Sequence, residues 1–337
     1  MGRAGSTIIA TLLLAVLVAT AAATAYLRFR PDIVHDVEHV LRLGHGLPAD
    51  HPVHEGMVYM AERLHELSDG TVELRMYPNE QLGTETHCTE QLQHGVLDMA
   101  KISAAPMETF VPEVAVVSLP YVFRDSEHYW AVLDGEVGQG LLEAGVPRGL
   151  RGLCFYDAGA RSFYTVDGMV REPANLEGKR IRVQESPTAM ALVRRLGGSP
   201  TPIAWGELYS ALEQGVVDGA ENNPPSFLQS NHYRVARHFS LNEHARVPDV
   251  LLMSEDTWQR LPEDVQQWVQ QAARESSEYQ RNLWEQATQE AIETLEDRGV
   301  EIYRPDPAPF AELVEPMHDE ITDPRILDLL KRIRDLD

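Results

Sequence analysis

The chain has little cysteine, almost no lysine and no basic block, and each shortage narrows what it can be. Cys88 and Cys154 are the only cysteines among 337 residues, and their spacing fits no metal motif. A cysteine-rich scaffold is excluded, while one disulfide and two buried thiols both remain open. Lys101, Lys179 and Lys331 are the only lysines, so arginine carries nearly all of the positive charge. The 29 basic residues face 52 acidic ones, a formal charge of −23. A chain of that balance tracks neither nucleic acid nor an anionic membrane surface. Hydrophobic residues at 43% and charged residues at 24% exclude a disordered or fibrous chain.

Long apolar runs are scarce as well. Only one approaches membrane-spanning length, from Ile8 to Ala25, behind a short segment carrying Arg3. It ends in Ala23-Thr24-Ala25, the small-x-small pattern of an export cleavage site. Residues 1–25 are therefore read as a signal peptide, with no cysteine nearby for lipid attachment. The run is long for a signal, and Arg28 and Arg30 follow it, so an uncleaved anchor helix is the alternative. In both cases the body lies outside the cytoplasm, and a periplasmic location is expected.

What is present is an alternation of strands and helices. Val40 to Leu43 reads as a strand, and Pro52 to Leu67 as an amphipathic helix stopped by Asp69-Gly70. Val72 to Tyr77 alternates with period two and ends at Pro78. Glu85 to His94 is helical with Gly95 as its C-cap, and Val114 to Leu119 reads as a buried strand. In the second half, Ile181 to Gln184 is a strand, and Ser186-Pro187 starts a helix that Gly197-Gly198 ends. Trp205 to Gln214 is helical, and Val216 to Ala220 is a brief strand before a polar, proline-rich loop from Glu221 to Pro225. This alternation predicts an α/β chain with a mainly parallel sheet.

From Pro262 to Asp297 no glycine or proline interrupts the chain. A helix there would be about 50 Å long, more than one small domain needs, so it bridges two. Val265, Trp268, Val269 and Ala272 are spaced for one packed face. Coiled-coil dimerisation would need leucine or isoleucine at heptad positions, which are wanting, and a monomer is expected.

The segment 178–223 is the one with chemistry in it. Arg182 sits between apolar Ile181 and Val183 on its strand, which turns it into a cleft or a paired interior. Its planar fork matches a carboxylate, either of a ligand or of the protein itself. Asn222 brings a donor and an acceptor, and Trp205 a flat apolar wall. His45, His51 and His54 match no common zinc spacing, and neither a metal nor a cofactor is expected. Glu85 and Glu113 as a glycosidase pair are the best enzyme alternative.

The same segment resembles the signature of the solute receptors of tripartite ATP-independent periplasmic (TRAP) transporters. Arg182-Val183, Gly197-Gly198, Thr201-Pro202-Ile203, Glu207 to Leu212 and Gly215 to Asn222 follow the family's order and spacing. Earlier, Tyr77-Pro78-Asn79, Gln81-Leu82-Gly83, Gly95 to Met99, Leu119 to Phe123 and Gly159-Ala160-Arg161 resemble its other motifs, so the likeness runs from Leu41 to Ile302. The resemblance implies an α/β, two-lobed periplasmic-binding-protein fold with a long helix spanning both lobes. Residues 36–159 and 248–287 would form one lobe, and 160–247 and 288–337 the other. It implies no enzyme, and membrane permease subunits as partners. An ABC-type receptor of similar shape would lack the arginine-to-asparagine block.

By position, the resemblance makes Arg182 the arginine that pairs with the ligand carboxylate. Arg161 would be a second cationic contact, Asn222 would orient the same carboxylate, and Trp205 would form the aromatic wall. His45, Glu85 and Ser103 fall at ligand-facing positions of the first lobe, and His244 close to the pocket from the hinge side. His45 and Ser103 depart from the residues of the family's sialic-acid receptors. The wording around Arg182 and Asn222 resembles the hexuronate-binding subgroup, with Gln184 and Glu185, alongside Glu85 and His45, available to sugar hydroxyls. A C4-dicarboxylate is the alternative, with Arg161 at its far end.

Overall fold

The computed structural model describes residues 36–336. The expected signal peptide, 1–25, lies outside the described residues. The strands are β1 (His39–Gly44), β2 (Val72–Tyr77), β3 (Met99–Ser103), β4 (Leu150–Tyr156), β5 (Arg161–Thr165) and β6 (Arg180–Val183), followed by β7 (Ser199–Pro202), β8 (Gly219–Asn222), β9 (His238–Ala245), β10 (Asp249–Ser254) and β11 (Glu301–Tyr303). They form two sheets, ordered β2-β1-β3-β10-β4 and β11-β9-β5-β8-β6-β7. Each sheet is the centre of one lobe.

The first lobe opens with a strand–helix–strand unit. β1 and β2 pair in parallel, His39 beside Val72 and Gly44 beside Tyr77, and helix Pro52–Leu67 makes the crossover. That helix starts where Pro52 takes the first turn and the His51 ring accepts from the Val53 amide. Its Val53, Met57, Met60 and Leu64 recur at helical spacing and enter the core beside Leu41 and Leu43. The sheets are mixed, which corrects the expectation of a mainly parallel one. β10 runs antiparallel to both β3 and β4, and β5 antiparallel to both β8 and β9. Both strands begin just after the chain has crossed between lobes, where no crossover helix constrains strand direction.

A second correction concerns Val114 to Leu119. That run is a 3-10 helix, Pro112–Ser118, with Pro112 in its first turn and Val114, Val116 and Val117 buried. A short apolar run is equally compatible with strand and buried helix, and the two flanking prolines decided between them. Cys88 and Cys154 are both buried free thiols, and burial pushes each up to about 12.

The chain passes between the lobes at residues 157–160, again at 246–248, and a third time in the helix Glu263–Asp297. At one end of this helix Val265, Val269, Ala272 and Ala273 pack in the first lobe. At the other, Leu295 joins Leu208, Leu212 and Phe239 in the second. Its middle is polar and buried. Ser276 is 2.8 Å from the Tyr156 hydroxyl, and the Gln280 amide donates to the Asp157 carbonyl and accepts from its N–H at 2.9 and 2.8 Å. Gly159, at φ +59, lies so close beneath the helix that a Cβ there would sit 2.8 Å from Trp284 Nε1. The C-terminal segment divides. Phe310, Val314 and Met317 pack on Ile181 and Val183 of the second lobe, whereas Leu330 and Ile333 of helix Pro324–Arg334 pack on the first. Residues 288–337 therefore do not all lie with the second lobe.

Candidate functional site

Between the lobes lies a partly open cleft, lined from both sides. Local rules put side chains there. β6 alternates, so Arg182 projects between the buried Ile181 and Val183, and is itself 2% exposed. β8 ends at Asn222, and Asn223 then caps helix Pro224–Gln229, accepting from the Ser226 amide at 2.8 Å. The segment from Asn222 to Pro225, expected as a loop, is thus the end of a strand and the start of a helix. Trp205 opens a 3-10 turn, Trp205–Glu207, ahead of helix Leu208–Glu213.

Arg182 Nε donates to the Ile203 carbonyl at 2.8 Å, and its guanidinium carbon lies 5.8 Å from the Trp205 ring centroid. Its Nη1 is buried with no hydrogen-bond partner, and among the described residues no carboxylate forms an ion pair with it. Burial lowers its pKa from the ordinary arginine value, only partly opposed by Tyr164 and Glu221. Of the two partners left open for Arg182, a carboxylate of the protein is therefore not the one found.

That pairing belongs to Arg161. Its Nε and Nη2 grip the Glu221 carboxylate, Nη2 at 2.8 Å, while Nη1 donates to Asn222 Oδ1 at 3.2 Å. Burial works against the Arg161 charge, but Glu221 outweighs it and raises its pKa. Burial would likewise raise the Glu221 carboxyl, yet Arg161 and His244 hold it at about 2. Asn222 Oδ1 also accepts from the Asn223 amide, at 2.9 Å, which leaves its side-chain NH₂ to donate elsewhere.

From the first lobe, Glu85 accepts from Lys101 Nζ at 2.8 Å and from the Ser103 amide at 3.1 Å. Lys101 also lies 3.3 Å from Asp249, and the lysine is 3% exposed. Burial disfavours its charge, but Asp249 and Glu85 overcome that and raise its pKa. Several contacts cross the cleft. The Thr86 hydroxyl donates to Glu185 at 2.6 Å, Ser103 to Gln184 at 3.5 Å, and His51 Nε2 lies 3.1 Å from Ser226 Oγ. Glu108 accepts from the Ser186 hydroxyl at 2.7 Å and the Thr188 amide at 2.9 Å, across the lobes at the start of helix Pro187–Arg195.

Arg182, Arg161, Asn222, Trp205, Glu85, Ser103, Gln184 and Glu185 thus come together on the cleft wall. His45 and His244 do not line it. His45 Nε2 is 2.9 Å from His54 Nδ1, and burial with Lys101 nearby lowers its pKa to about 3. His244 is stacked on Phe163, with Nε2 3.5 Å from Glu221. Glu113 is outside the cleft and pairs with Arg325 and Arg148, so no Glu85–Glu113 catalytic pair exists. Sequence reasoning missed Lys101, Asp249, Glu80 and His51 on the wall. A signal for Lys101 existed, as one of three lysines in the chain and set between apolar Ala100 and Ile102 on its strand.

A model of the family described as bacterial extracellular solute-binding protein, family 7, matches residues 43–324. A solved TRAP periplasmic solute binding protein from Xanthobacter autotrophicus Py2, with bound beta-D-galacturonate, is similar at TM-score 0.86 and 38% identity, covering 88% of this chain and 100% of that one. Another, from Chromohalobacter salexigens with bound D-glucuronate, is similar at TM-score 0.85 and 34% identity, covering 88% and 99%. The C4-dicarboxylate-binding periplasmic protein DctP of Rhodobacter capsulatus is 29% identical over 289 residues, 84% of this chain and 86% of that protein.

Proposed function

This chain belongs to bacterial extracellular solute-binding protein family 7, and on that premise we propose that it binds a hexuronate of the galacturonate or glucuronate type and delivers it to the membrane permease of a TRAP transporter. The observation that carries this is the desolvated Arg182 guanidinium, with a buried Nη1 that has no hydrogen-bond partner and, among the described residues, no carboxylate ion-paired to it. A buried cation left so is costly unless an anion arrives. A ligand carboxylate meeting its free edge would regain two-point geometry, with the Asn222 amide as a further donor. The hydroxylated remainder would lie against Trp205 and among Gln184, Glu185 and Glu85. The solved relatives with bound galacturonate and glucuronate support this ligand class.

The bonds from Thr86 to Glu185 and from Ser186 to Glu108 already join the lobes, and a hinge motion at the crossings would break and remake them as the ligand enters and leaves. The receptor would act in the periplasm as a monomer, exported by its N-terminal segment. The family's extracellular description supports the location. The monomer is supported by the long helix, whose buried apolar positions face its own two lobes.

A thermal-shift panel tests the proposal. Galacturonate or glucuronate should raise the melting temperature, by about 2.7 kcal/mol of stabilisation at a hundredfold excess over Kd. If succinate-like acids alone do so, the sugar-acid assignment falls and the receptor assignment stands.

A further inference from the structure

We infer that the first-lobe wall of the cleft, built on Glu85, Lys101 and Asp249, restricts the receptor to sugar acids with a single carboxylate and excludes the dicarboxylic aldaric acids of the same carbon skeleton. This rests on the sugar-acid proposal above, and extends it to the end of the ligand remote from Arg182.

Among the described residues, three cations line the cleft, Arg161, Arg182 and Lys101. Arg161 is spent on Glu221, gripped at two points. Lys101 is spent twice over, at 2.8 Å from Glu85 and 3.3 Å from Asp249. All three members of that cluster are largely withdrawn from water, with side chains 3%, 16% and 8% exposed for Lys101, Glu85 and Asp249. Among the described residues on this wall, Arg182 alone has charge left to give, and it satisfies one carboxylate. A second carboxylate on the ligand would therefore find no free cation. It would meet the half-buried Glu85 and the buried Asp249, with Glu80 and Glu185 also on the cleft wall. Like charges brought together without water are strongly unfavourable.

A hydroxyl in the same place has the opposite experience. The carboxylates of Glu85 and Asp249 are acceptors, and a sugar hydroxyl or ring hemiacetal is a donor. Burial raises the Asp249 carboxyl while Lys101 pulls it down. Should Asp249 take up a proton, the wall becomes neutral and still presents no unpaired cation. Both protonation states refuse an anion and accept a hydroxyl.

Matched acids provide the test, by calorimetry at pH 7.5 with galacturonate against galactarate and glucuronate against glucarate. The hexuronates are expected to bind, and each dicarboxylate roughly 100-fold more weakly than its hexuronate, as like-charge contact costs several kcal/mol. Asp249→Asn, which releases Lys101 from one of its two partners, should narrow that ratio to about 10-fold or less. Glu85→Gln should narrow it in the same direction, and either folded variant serves, folding being checked by circular dichroism. Galactarate or glucarate binding the wild type as tightly as the matching hexuronate overturns this inference and leaves the receptor assignment intact. A ratio unmoved in a folded variant that still binds the hexuronate removes the wall as its cause. Failure of all four acids to bind overturns the sugar-acid proposal itself.

Discussion

Two buried arginines flank the same strand of the second lobe, Arg161 on β5 and Arg182 on β6, with β8 between them. They are equally hidden, at 5% and 2% exposure, yet their charges fare differently. Arg161 has a dedicated carboxylate in Glu221 and its pKa is raised. Arg182 has a carbonyl, an aromatic neighbour and an unsatisfied nitrogen, and its pKa is lowered. Burial of a cation thus says little about function until its counter-charge is found. Where that charge belongs to the protein, the arginine is part of the scaffold. Where it is missing, the arginine keeps its capacity to pair with an anion from outside the protein.

The sharpest way to break the contrast is Arg161→Ala. It strands Glu221 as a buried, uncompensated carboxylate, and should cost about 3–5 kcal/mol of folding stability in a denaturant titration. Next comes Arg182→Ala, which should weaken hexuronate binding by about 2–5 kcal/mol in calorimetry while leaving the melting temperature of the ligand-free protein unchanged or higher. Normal binding by this variant would refute the central role given to Arg182.

Acid separates the pair further. The Glu221 pKa is held at about 2 in the fold, below its ordinary 4.5. Its contribution is therefore present above pH 4.5 and is lost as pH falls from there toward 2. A Glu221→Gln variant, less stable at pH 7, should lose less stability than the wild type across that window; parallel curves would show that the Arg161–Glu221 pair is not responsible. The smallest change is Thr86→Val, which removes one exposed bond to Glu185 and should weaken binding by roughly threefold.

Much of this is legible in the sequence. Pro52 to Leu67 and Val72 to Tyr77 carry their boundaries in local chemistry, a proline in the first turn and a period of two, and both elements form where expected. The long helix was readable because nothing interrupts it. Arg182 stood out through its apolar strand neighbours and through family likeness. Its freedom did not, because that depends on Glu221 choosing Arg161, sixty positions away. The cluster of Glu85, Lys101 and Asp249 was hidden for the same reason. It is assembled by β10 pairing with β3 after a long excursion through the other lobe. The helix Pro224–Gln229 was a different kind of miss, since Asn223-Pro224 is an ordinary N-cap and first-turn pair.

The two unpaired cysteines have a practical consequence. Cys88 and Cys154 are 2% and 5% exposed, with thiols pushed up to about 12, and the thiolate is the reactive form. At neutral pH they should ignore maleimide as long as the fold holds. A single engineered surface cysteine on each lobe could then carry a dye without removing the native pair. Reaction at Cys88 or Cys154 themselves would become a clock for global unfolding, separate from any opening of the cleft.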